Sequence, residues 1–176
     1  MRILISALIA LGLSMSASAQ PTQAEKAAAK VVEATKVQGN LVPGFSLQEL
    51  QQILIDAGYR AVLEEDNSGP YIRSGASGLN IFLSLFDCLE DNTECRTIRI
   101  ESGTFKVDPP LSPEALNEWT RDVVTGWAVP IVSTDGSYYL LMKVSTTGGV
   151  TRDWLMQNFE IFADSLGKYH KLLFPS

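Results

Sequence analysis

The chain has 176 residues, with 14 Lys and Arg against 20 Asp and Glu and a formal net charge of −6 at neutral pH. That acidic balance argues against nucleic acid and against anionic membrane surfaces as partners. The length suits one compact domain with a short leader, and an apolar fraction of 45% is that of an ordinary globular core.

Residues 1–19 carry a basic Arg2, an apolar run from Ile3 to Leu13, and small residues ending in Ala17-Ser18-Ala19. This is the order of a secretory signal peptide. The run is too short for a membrane span, which needs about twenty apolar residues, and no Cys at the cleavage site suggests a lipid anchor. The expectation is a periplasmic or secreted protein that begins at Gln20 and has no membrane insertion after cleavage. Loss of Arg2 leaves 13 basic residues against 20 acidic ones, a net charge of −7. Residues 20–44 are rich in Ala, Lys, Glu, Gln and Thr and read as a flexible or loosely helical leader. The globular domain is expected over 45–176.

That domain opens with Phe45-Ser46-Leu47-Gln48-Glu49-Leu50, where Ser46 and Glu49 form a capping box and Phe45 and Leu50 have the spacing of a hydrophobic staple. Leu47, Leu50, Leu54 and Ala57 recur at helical spacing until Gly58. Tyr59–Glu64 and Pro70–Ser74 read as strands around the turn Asp66-Asn67-Ser68-Gly69. A second turn, Gly75–Gly78, leads to the stretch around which the chain is organised, Leu79–Phe105. Its first strand places Leu79, Ile81, Leu83 and Leu85 on one face and Phe82 and Phe86 on the other, the pattern of a central strand covered on both sides. In its second strand Ile98 and Ile100 alternate with Thr97, Arg99 and Glu101, so one face is wet. Ser112 and Pro113 start another helix, with Leu116, Trp119 and Val123 on its buried stripe and Gly126 at its end. Trp127–Val132 and Tyr138–Val144 form a hairpin around Thr134-Asp135-Gly136, with Pro130 placing the first of them at an edge or bulge. Thr151 caps a last helix whose buried face is Leu155, Phe159, Phe162, Leu166 and Tyr169. The fold class is α+β: an antiparallel sheet with helices in the order α, three or four strands, α, ββ, α.

Cys88 and Cys95 are the only cysteines and lie at the two ends of one hairpin loop. In an exported chain they read as a disulfide, which closes a small loop and contributes about 2–3 kcal/mol on the chain-entropy estimate. A redox role lacks the C-x-x-C spacing.

Several short runs, taken in order, resemble the YbjN-domain family of bacteria: SLQELQQIL with AGYRA, Gly69-Pro70-Tyr71-Ile72, SGLN, Asp87-Cys88, LNEW at Leu116–Trp119, Asp135-Gly136, and GGVTRDWLMQNFEIFADSL. The resemblance covers Ser46 to Tyr169. It implies a role described as sensory transduction regulation. It also implies a fold similar to class I chaperones of type III secretion, which are α+β dimers that bind protein segments. The chain departs from the family pattern at Thr120, where a second Asn is common, and at Pro130. The resemblance brings no catalytic residues. An export signal also conflicts with the cytoplasmic work of secretion chaperones, so the fold is carried over without the chaperone activity.

The residues offer no reaction chemistry. His170, the only histidine, lies near the C-terminus without a Cys or carboxylate cluster at ligand spacing, and the glycine pairs lack a phosphate-cradling pattern. The acidic loop Asp87, Glu90, Asp91 and Glu94 lacks calcium-loop spacing and reads as solubilising charge. Trp119, Arg121, Tyr138 and Tyr139 are the candidate partner surface, because aromatic and Arg side chains dominate interface hot spots; core packing is the competing reading for Trp119. The expected function is a non-enzymatic interaction module for a protein or peptide partner, acting as a homodimer, with no cofactor and no metal. A periplasmic sensor holding a small molecule against the sheet is the alternative.

Overall fold

The computed structural model describes residues 41–90, 93–122 and 128–175. The signal peptide, most of the leader, Asp91, Val123, Gly126 and Trp127 lie outside the described residues. Among those described, the order is α1 (Leu47–Asp56), β1 (Val62–Asp66), β2 (Gly69–Ala76), β3 (Leu79–Phe86), β4 (Thr97–Ser102), α2 (Pro113–Asp122), β5 (Val129–Val132), β6 (Tyr138–Ser145) and α3 (Arg152–Leu173). The α+β class and the element order are those read from the sequence. The six strands form one antiparallel sheet in the order β1-β2-β3-β4-β6-β5, with β3 and β4 at its centre.

The helix starts follow their caps. Ser46 Oγ accepts from Glu49 N–H while the Glu49 carboxylate accepts from Ser46 N–H at 2.8 Å, closing the capping box of α1. Ser112 Oγ accepts from Ala115 N–H at 3.2 Å, and Thr151 Oγ1 from Trp154 N–H at 3.1 Å. Gly58, at φ +86°, lies just past the end of α1, in a conformation that costs other residues steric strain.

All three helices share one core with one face of the sheet. Leu50, Ile53 and Leu54 of α1, Trp119 of α2, and Leu155, Phe159, Phe162, Leu166 and Tyr169 of α3 bury against Ile72, Ile81, Leu83, Ile98, Ile100, Leu140 and Met142. The period-two alternation of each strand sends its other residues to the opposite face, on which no described element packs. There the structure corrects the reading of β3. Phe82 is only half-buried and Phe86 is 44% exposed, so this central strand is covered by a layer on one side only. Phe82 is sheltered by neighbours in its own sheet, including Tyr71 at a ring-centroid distance of 5.9 Å.

Element bounds shift by a few residues. β1 begins at Val62 and β2 extends to Ala76, because the turn between β2 and β3 is only Ser77-Gly78, at φ 53° and 79°. β4 ends at Ser102, and Phe105 makes a separate two-way backbone bridge to Tyr138. Contacts with the domain begin before Phe45: Val42 and Val150 exchange backbone hydrogen bonds of 2.8 and 3.0 Å.

Candidate functional site

The two tyrosines of β6 must point to opposite faces, and the structure divides the sequence-proposed surface accordingly. Tyr138 is 3% exposed in the helix-side core, where its hydroxyl accepts from Leu111 N–H at 3.0 Å. Trp119 is 9% exposed, tilted against Tyr169 with ring centroids 5.1 Å apart. Both are core residues of this chain, a correction to their reading as surface. Long aromatic side chains on a helix and on the inner strand face are what fill the space under α3. Arg121 is exposed on the last turn of α2, and Tyr139 is half-buried on the helix-free face. The structure does not bring the four residues into one patch.

The sequence marks the helix-free face only at Tyr139 and at the polar alternation of Thr97, Arg99 and Glu101. Strand register places Glu64 of β1, Tyr71 and Arg73 of β2, Asn80, Phe82, Ser84 and Phe86 of β3, Arg99 and Glu101 of β4, Tyr139 and Leu141 of β6, and Val129 and Ile131 of β5 on it. Much of it lines a half-open depression of about 1440 Å³, which extends to the β1–β2 turn and to the cysteine loop. The face mixes apolar rings with ion pairs. Glu64 accepts from Arg73 Nε at 2.8 Å and from the Tyr71 hydroxyl at 3.0 Å. These bonds hold the Glu64 carboxyl below its usual range and push the Tyr71 phenol and the Arg73 guanidinium up. Arg99 pairs with Glu101 two residues along β4, and its Nε has no partner among the described residues. The alternation Tyr71, Arg73 and Thr97, Arg99, Glu101 in the sequence carried the signal for this surface. What hid it was that nothing in the sequence says which sheet face the helices leave open.

At one rim Cys88 and Cys95 are disulfide-bonded. Cys95 also exchanges backbone hydrogen bonds of 3.0 and 3.1 Å with Phe45, tying the loop to the approach to α1. Of the acidic loop residues, Asp87 accepts from Thr97 Oγ1. Among the described residues no group of three or more His, Cys, Asp and Glu could hold a metal ion. His170 packs edgewise on Phe105 and against Phe174, with ring centroids at 5.7 and 4.9 Å. No described helix is long and apolar enough to cross a membrane.

A single antiparallel sheet with helices on one face and an open, mixed aromatic and charged face on the other defines an α+β domain. The model of the YbjN family, described as "putative bacterial sensory transduction regulator", matches residues 46–174, and the chain belongs to that family. Among solved structures it is similar to YbjN of E. coli, described as a putative transcription regulator. The two share 22% identity over 77% of this chain and 99% of that one, with a TM-score of 0.51, a likeness of fold. None of the curated proteins matches the chain.

Proposed function

We propose that this YbjN-family chain is an exported, non-enzymatic interaction module that works as a homodimer and receives polypeptide on the helix-free face of its sheet. The observation that carries the reading is that open face. Phe82, Phe86, Tyr139 and Leu141 offer apolar area on a rigid platform, and the Glu64–Arg73 and Arg99–Glu101 pairs supply charges that set orientation. Export is supported by the N-terminal order of Arg2, apolar run and Ala17-Ser18-Ala19, together with a disulfide that persists only in an oxidising compartment. The family description as a regulator fits a protein that acts by contact.

The test is native mass spectrometry of the chain recovered from the periplasm, beside the same chain with Tyr139→Asp. The proposal expects two chains, alone or with a polypeptide, and loss of that assembly in the variant with an unchanged far-UV circular dichroism spectrum. A single chain carrying a small-molecule mass would overturn it and put the sensor reading in its place.

A further inference from the structure

The centre of the helix-free face holds an unbalanced cation. Arg99 of β4 and Lys143 of β6 are direct cross-strand partners, and Ser84 of β3 lies opposite Arg99 on its other side. Like charges so placed, with Cβ atoms about 5 Å apart, repel each other. Arg99 is met by Glu101, yet that ion pair leaves part of its guanidinium unused, since Nε has no partner among the described residues. Lys143 is exposed and makes no ion pair with a described residue, and β5, the strand beyond it, is uncharged. Glu64, three strands away from Arg99, is neutralised by Arg73. The charge left over is that of Lys143, a positive one in a chain of net charge −6.

Apolar groups stand on both sides of this cation along the strands. Two residues toward one end of the sheet the row is Phe82, Glu101 and Leu141, and two residues toward the other it is Phe86, Thr97 and Ser145. Two residues of strand span about 6.6 Å, and the side chains that alternate onto one face of any extended segment have the same spacing. A segment aligned with these strands therefore sets one side chain over Phe82 and Leu141, the next over Arg99 and Lys143, and a third over Phe86.

The surroundings limit how much negative charge such a segment can carry. Asp66 at the β1–β2 turn and Asp87 and Glu90 at the cysteine loop are exposed, so the two ends of the depression are acidic. A run of carboxylates is repelled there, whereas a single one at the centre balances Lys143 and relieves its opposition to Arg99. We infer that the polypeptide proposed above for this face is an extended segment with one Asp or Glu seated on Arg99 and Lys143, between two apolar side chains. This rests on the reading of the helix-free face as a polypeptide site and adds the chemistry of its occupant.

The test titrates the full, disulfide-bonded chain by NMR with the peptide Gly-Ser-Leu-Ser-Asp-Ser-Leu-Ser-Gly, blocked at both ends, with the same peptide carrying Asn or Lys in place of Asp, and with inorganic phosphate. The inference expects saturable binding of the Asp peptide with amide shifts at Phe82, Arg99 and Lys143. The Asn peptide binds about tenfold more weakly and the Lys peptide more weakly still. Lys143→Glu, a change at an exposed position that leaves the far-UV circular dichroism spectrum as it was, reverses the order, so that the Lys peptide binds more tightly than the Asp peptide. Equal binding of the three peptides with shifts on this face overturns the inference and leaves the polypeptide site standing. An order unchanged by Lys143→Glu also overturns it. So does absent binding of every peptide, in which case the native mass measurement still decides separately whether the face takes a polypeptide. Phosphate that reproduces the shifts and displaces the Asp peptide overturns it as well, and puts a small anion on this face.

Discussion

Replacing Gly44 with Ala tests how the cysteine loop is held to the domain. A Cβ added at Gly44 would lie 2.4 Å from the carbonyl carbon of Glu94, 2.6 Å from its oxygen and 2.7 Å from its Cα. All three are backbone atoms, so no side chain can swing aside, and an ordinary contact requires the two segments to part by about 1 Å. The next residues, Phe45 and Cys95, are joined by two backbone hydrogen bonds, and both are buried. Lengthening that pair past useful geometry forfeits two bonds at about 1 kcal/mol each and leaves buried groups underpaired. The disulfide one side chain away resists the relaxation that would relieve the clash. The expected cost of Gly44→Ala is therefore about 2–3 kcal/mol, read as a lowered midpoint with unchanged slope in urea unfolding of the oxidised chain. Gly58→Ala is the control. Its added Cβ meets nothing within 4 Å, so only the positive φ is penalised, by about 1 kcal/mol. A Gly44→Ala variant no less stable than Gly58→Ala would refute the argument, since it would mean that the loop yields freely.

Two further effects follow from single groups. Tyr169 is fully buried with no partner for its hydroxyl among the described residues, and burial pushes that phenol well above its usual range; Tyr169→Phe should match or exceed the parent in thermal stability by up to about 1 kcal/mol, and a clear loss in calorimetry would reveal a bond to the hydroxyl. Asp135 accepts from Ser137 Oγ at 2.6 Å and from Ser137 N–H at 3.0 Å, with Lys106 at 3.6 Å, which lowers its carboxyl from 3.8 to about 2. Since the folded value is the lower one, this contribution is complete above pH 4 and is lost as pH falls from 4 through 2. Asp135→Asn should flatten the stability profile in that window, and an unchanged acid profile in pH-dependent unfolding would count against it.

Local chemistry made the element order legible in the sequence. The Ser46–Glu49 box, the Ser112 and Thr151 caps and the spacing from Leu155 to Tyr169 each act within a few residues, so they can be read without knowing what lies across the core. The Asp135-Gly136 turn and the outward-facing proline of β5 are equally local. The open face is different. Phe82 and Phe86 read as the buried second side of a central strand, and only the placement of all three helices on the opposite side leaves them partly exposed. Trp119 and Tyr138 failed as surface candidates for the converse reason: a large aromatic looks the same in sequence whether it fills a core or an interface, and α3 packing over the sheet made these two core. The sequence by itself determined the order of the helices and strands, the helix starts and which strand residues share a face, because caps, turns and period-two alternation are short-range. Tertiary structure alone decided which face of the sheet the helices cover, because that depends on contacts between segments far apart in the chain.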